Sequence, residues 1–191
     1  MRKVILIFGV LVMLFAFSTQ ATDSPSAGVG TYVTAADIKL WLGKADSNKR
    51  SDTIMSMIDA GNANVGVAVV HRPIAAKGQG GDPMQHANVI EIYYVLEGRA
   101  VMVTGGKVLN PRPFVQAIVD ASSVGPSIRG PSADLAGSES KPIGPGDIIF
   151  IPVGTVHYLS EVTEPVTFLV YRIDPNKVTT THSTPSPVVV P

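Results

Sequence analysis

The chain contains no cysteine, so no disulfide braces it, and neither a thiol nucleophile nor a thiolate metal ligand is available. It is poor in charge and in aromatics, with 16% charged and 6% aromatic residues and a single Trp. Neither sign of charge predominates: 15 basic and 15 acidic residues give a formal net charge of +0 with His neutral. No basic patch stands out, which argues against nucleic acid as a partner. No internal repeat is visible. The glycine-rich stretch from Gly78 to Pro83 lacks the Gly-Lys-Ser/Thr ending of a phosphate-cradling loop.

Glycine and proline, by contrast, are plentiful, at 18 and 15 residues. With so few charges they suit short strands and many turns rather than a helical bundle. The chain opens with Arg2-Lys3, an apolar run from Val4 to Phe17, and then Ser18-Thr19-Gln20-Ala21. That order describes a secretory signal peptide over residues 1–21, with cleavage after Ala21 or after Ser18. The run is short against the roughly 20 residues of a bilayer span, although an uncleaved N-terminal anchor is the alternative. The expected location is therefore periplasmic or extracellular, without a stable membrane span. About 170 mature residues suffice for one domain with a sizeable core.

Residues 22–50 read as a leader followed by a short helix. Thr34-Ala-Ala-Asp37 has the pattern of a helix start, and Ile38, Trp41 and Leu42 fall on one face of a helix from Ala35 to about Lys44. Its Trp is expected to dock on the barrel or on a second subunit. Residues 51–175 read as one β domain. Strands are expected at Thr53–Ile58 and Val65–Arg72, with Glu91–Leu96 and Arg99–Thr104 as a hairpin through Glu97-Gly98 and a last strand over Val166–Ile173. The segment from Gly105 to Pro145 is long and irregular, expected to cover the barrel mouth or to place a strand near Ala117–Val119. Residues 176–191 read as a disordered Thr/Pro tail, with His182 solvated.

The most informative stretch is Gly146 to Glu161, GDIIFIPVGTVHYLSE. Ile148 to Ile151 form an apolar β-prone run entered through the turn at Gly144-Pro145-Gly146. Pro152-Val-Gly-Thr155 is a turn, and the strand that follows places His157 at its start. The spacing Gly-x5-Pro-x-Gly-x2-His resembles the second sequence motif of the cupin superfamily, with Glu161 where that motif closes in Asn. Upstream, Gly78 to Gly98 follows the first cupin motif, with Met84 in the first His position, His86 in the second, Glu91 at the carboxylate and Gly98 at the close. The resemblance covers roughly Ser51 to Pro175. It implies an all-β, jelly-roll or double-stranded β-helix barrel.

It also implies a metal site made by His86, Glu91 and His157, suited to divalent Fe, Mn, Zn, Ni or Co. Residues five apart on an extended strand are separated by roughly 16 Å. His86 and Glu91 can therefore share an ion only if the chain reverses at Ala87–Ile90. By the same reasoning Glu161 stands too far along its strand from His157. Met84 is expected to line the pocket, and His71 to be a hydrogen-bonded structural residue. Tyr93, two residues beyond Glu91, is the candidate catalytic donor, or else an amphipathic core residue. Two functions stay open. One is a metal-dependent enzyme of oxygenase, isomerase or decarboxylase type acting on a small organic molecule; the other is a non-catalytic exported cupin that binds a small ligand, with or without metal. A homodimer is also expected, to cover exposed edge strands.

Overall fold

The computed structural model describes residues 30–44 and 48–181. The signal-peptide segment, the start of the leader and the end of the tail, with His182, lie outside the described residues.

Helix α1 (Ala35–Lys44) begins where its capping pattern requires. Asp37 N–H donates to Thr34 Oγ1 at 3.1 Å, while Thr34 N–H donates to Asp37 Oδ2 at 2.8 Å. This reciprocal pair satisfies donors that a helix start leaves open. Ile38, Trp41 and Leu42 pack on Met55, Val69 and Leu169, so the tryptophan docks on the barrel's own outer face.

The strands in order are β1 (Ser51–Asp59), β2 (Asn64–Arg72), β3 (Met84–His86), β4 (Ile90–Thr104), β5 (Lys107–Leu109) and β6 (Arg112–Pro113). Helix α2 (Gln116–Ser122) follows, then β7 (Ser127–Arg129), β8 (Ser132–Asp134), β9 (Glu139–Ile143), β10 (Ile148–Ile151) and β11 (His157–Asp174). Nine strands form one antiparallel sheet in the order β1-β2-β11-β3-β7-β6, with β4 pairing β9, β10 and β11. β5 and β8 make a separate pair. The long strand β11 is the hub, pairing with β2, β3 and β4. The curled sheet turns one face inward, where Ile54, Val70, Val95, Met102, Phe168 and Val170 share a core. Each such side chain contributes about 1.5–3 kcal/mol by leaving water. The fold is the expected all-β barrel with a short N-terminal helix.

Three local expectations are corrected. Glu91–Leu96 and Arg99–Thr104 do not pair with each other as a hairpin. They are two halves of β4, and each pairs with a different stretch of β11. Gly98 has φ +80°, and a Cβ there would run into Pro165 O, so β4 bends closely around β11 at this point. For the same reason the strand from His157 and the strand ending at Ile173 are one element, bent at register shifts between Leu159 and Phe168. The segment 105–145 carries five short strands and α2, and Ala117–Val119 is helical rather than extended. The tail is held at its start. Thr179 is buried, its N–H and Oγ1 donate to Asp174 Oδ2, and Asn64 Nδ2 donates to Thr179 O.

The outward face of β10, β4 and β11 leaves Ile148, Phe150, Tyr94 and Tyr171 exposed. Among the described residues no helix is long and apolar enough to cross a membrane.

Candidate metal centre

His86 ends β3, the chain reverses over Ala87–Val89, and Glu91 is the second residue of β4. This is the reversal that the spacing of the two side chains demands. His157 opens β11 after a turn in which Thr155 N–H donates to Pro152 O at 3.1 Å. Within that turn Gly154, at φ +74°, donates its N–H to His86 O at 2.9 Å. One backbone bond thus ties the turn of the second motif to the histidine of the first.

The three side chains meet, one ligand atom of each lying within 4.8 Å of the others. Glu91 Oε2 is 3.4 Å from His86 Nε2 and 3.2 Å from His157 Nε2, and all three residues are buried. The far side of each ring decides its tautomer. Ser127 Oγ donates to Gly125 O at 2.9 Å, which leaves its oxygen to accept from His86 Nδ1–H at 2.7 Å. His157 Nδ1 stands 3.0 Å from Thr155 O, a carbonyl that can only accept. Nδ1 thus carries a proton in both rings, and in the neutral form of each ring Nε2 turns a lone pair toward the Glu91 carboxylate. His157 Nε2 is buried without a hydrogen-bond partner. In the neutral ring its close approach to Glu91 is a contact between two acceptors. Such a set is repulsive alone and favourable around a divalent cation, so the residues present fit a metal.

Burial lowers the His86 imidazole, against the pull of Glu91, which favours its neutral, ligating form. Burial works to raise the Glu91 carboxyl and is outweighed by His86, when that ring carries its second proton, and by the charge of Arg172, so the carboxyl lies well below the usual carboxylate range. Arg172 Nε donates to Glu91 Oε1 at 2.9 Å, while Nη2 donates to Asp52 Oδ2 at 2.9 Å and Nη1 to Ser122 O. One carboxylate oxygen is thereby occupied and the other left facing the histidines. Tyr93 OH donates to that second oxygen at 3.1 Å, and burial pushes the phenol well above its ordinary value. Tyr93 is thus a hydrogen-bond donor and not a base.

The centre opens into a cavity of about 200 Å³ whose wall includes Met84, Met102, Phe114, Leu159 and Phe168. Met84, in the first His position, is wall, as expected. The segment 105–145 supplies Phe114, Ile118, Ser122, Val124 and Arg129 and so closes one side of the cavity. Glu161 is not among the clustered ligands, and His71 bonds Thr167 Oγ1 through Nδ1 at 3.0 Å. Sequence reasoning missed Arg172, Asp52 and Ser127. Arg172 carried a signal: it shares strand parity with Phe168 and Val170, so a charge was being placed on the core face.

No family model and no curated protein matches the chain. Solved structures similar to it include a protein from Bacillus halodurans, at 16% identity over 83% of this chain and 92% of that one, with a TM-score of 0.42. DMSP lyase DddQ from Ruegeria pomeroyi is similar at 16% identity, covering 79% and 70% of the two chains with a TM-score of 0.43. A Klebsiella pneumoniae protein with a double-stranded β-helix domain is similar at 19% identity, covering 66% and 80% with a TM-score of 0.36. The chain's two motifs resemble those of cupins, and the strand order brings them together in one curled antiparallel sheet.

Proposed function

We propose that the protein is a metal-dependent enzyme acting on a small organic molecule inside the barrel. The supporting observation is the orphaned, buried Nε2 of His157, aimed with its His86 counterpart at Glu91 Oε2. His86, Glu91 and His157 would hold a divalent Fe, Mn, Zn, Ni or Co ion, which supplies Lewis acidity toward a substrate oxygen. The chain's own residues prepare that position. Arg172 fixes the Glu91 carboxylate, and Ser127 and the Thr155 carbonyl fix the two imidazoles. Tyr93 holds its proton at Glu91 Oε2, within reach of a substrate oxygen that enters there. The reaction belongs to the oxygenase, isomerase or decarboxylase type. Export through the segment 1–21 and pairing into a homodimer are part of the same proposal, read out by N-terminal sequencing of the exported fraction and by sedimentation of the purified protein.

The second reading, a non-catalytic small-ligand binder, is favoured by one observation. Met84 replaces the first motif histidine, so only three strong protein ligands remain. Metal analysis decides between them. Purified protein should carry near-stoichiometric metal, and a chelator should lower its unfolding temperature, since a ligand of the native state stabilises it by mass action. His86→Ala and His157→Ala should each lose the metal while staying folded, Met84→Leu should be silent, and Met84→His should tighten binding. A wild type indifferent to chelator, with every variant like it, would leave the binding module.

A further inference from the structure

Arg112 and Arg129 stand directly opposite each other on the β6–β7 ladder. Among the described residues neither forms an ion pair. Like charges directly opposite on a ladder destabilise it. Strand alternation decides where Arg129 points. Ser127, two residues earlier, bonds His86, so Arg129 stands on the same face and lines the cavity half-buried. Its guanidinium lies 5.6 Å from the Phe114 ring centroid, and that ring lies 6.1 Å from the His86 ring. Phe114 therefore bridges an uncommitted cation and a metal-site histidine. The other rim arginines are engaged: Arg72 Nη1 donates to Ser51 O at 2.6 Å, and Arg50 Nη2 to Gly80 O at 2.8 Å. The wall as a whole has Arg50, Arg72, Arg129 and Arg172 against Asp52, Asp82 and Glu91, a positive excess before any metal ion is counted.

We propose that the cavity selects a small organic carboxylate. Arg129, with Arg112 beside it, holds the carboxylate at the mouth. The apolar body lies along Phe114 and Met84, and the opposite end faces His86, Glu91 and His157. The cavity, about 200 Å³, is below the roughly 300–1,000 Å³ of sites for drug-sized ligands. Met84, Met102, Phe114 and Phe168 give the body of the ligand an apolar bed. The inference deepens the proposed function and depends on it only for where the reacting end lies.

Calorimetric titration of the purified protein with benzoate and hexanoate, against benzamide, hexanamide and glucose 6-phosphate, tests the assignment. Each acid should bind about tenfold or more tightly than its amide, the loss expected for one charge-assisted hydrogen bond. Arg129→Met keeps much of the apolar stem and should abolish that preference with metal content unchanged. Arg129→Lys should keep part of it, and Arg112→Gln should weaken it. Equal binding of acid and amide, no binding of either acid, tighter binding of glucose 6-phosphate, or a preference that survives Arg129→Met would overturn the proposal. The acid–amide comparison on the wild type needs no variant to fold. Repeating it after chelation separates the two readings. An Arg129-dependent preference in protein that never holds metal would sink the enzyme and keep the carboxylate site, whereas metal binding without the preference would do the reverse.

Discussion

Arg172 stands directly across the β4–β11 ladder from Glu91 and donates from Nε to Oε1 at 2.9 Å. Both side chains are about 1% exposed, and the same guanidinium reaches Asp52 at 2.9 Å. Burial lowers the arginine's proton affinity, but the two carboxylates more than restore it, so the group stays charged. The pair positions the Glu91 carboxylate more than it stabilises the fold, because desolvating two charges offsets much of their attraction.

Arg172→Met should therefore be severe. It strips the partner from two carboxylates at once, and removing one side of a buried pair costs about 3–5 kcal/mol. Urea unfolding of chelator-treated protein reads the loss directly. A change below about 1 kcal/mol, the scale of an exposed pair, would contradict the burial of this one.

Ser127→Ala takes away the acceptor for His86 Nδ1–H and frees the ring to turn or change tautomer. Loss of such a supporting bond lowers metal affinity by about 10–100-fold. Competition with a coloured chelator measures it. The fold should persist, since Ser127 Oγ otherwise bonds only nearby backbone carbonyls.

Acid should weaken the metal-free protein in two stages. His86 is lowered from its ordinary 6.5, chiefly by burial against the opposing charge of Glu91. The unfolded chain thus takes up that proton first, and stability is lost as pH falls below about 6.5 toward the depressed folded value. Burial tends to raise Glu91, yet its neighbours hold it well below its ordinary 4.5. Its contribution is present above about 4.5 and is lost as pH falls through the depressed value. The urea midpoint of chelator-treated protein should fall in both windows, and His86→Gln should remove the first. A midpoint that rises from pH 7 to pH 5 would show the sign to be wrong.

Gly98→Ala should cost more than about 2 kcal/mol, combining a left-handed backbone with a collision against Pro165 O. Gly137→Ala is the control: its φ is +73° but a Cβ there meets nothing within 4 Å. It should cost only about 1–2 kcal/mol. Equal losses in thermal unfolding would mean that the close approach of β4 to β11 is not what holds the bend.

Much of the site was legible in the chain itself. The spacing of Gly78, His86, Glu91 and Gly98, and of Gly146, Pro152, Gly154 and His157, resembles the two cupin motifs, and that resemblance pointed to the site. Thr34 and Asp37 announced the helix start, because a cap is made by residues three apart. The reversal between His86 and Glu91 needed only the rise of an extended strand.

What the sequence could not reveal depends on partners far along the chain. A run such as Glu91 to Thr104 with Gly at its middle reads equally as a hairpin or as one bent strand. The choice fell to β11, which pairs with both halves and approaches closest where Gly98 has no side chain. Arg172 looked like an interruption of an apolar strand until folding set it opposite Glu91, 81 residues away. Ser127 meets His86 across 41 residues, and no local pattern marks a serine as the support of a distant imidazole. The resemblance of the two motifs to those of cupins singled out the candidate ligands. Only the closed barrel, by burying them together, decided their hydrogen-bond partners and brought their ligand atoms within 4.8 Å of one another.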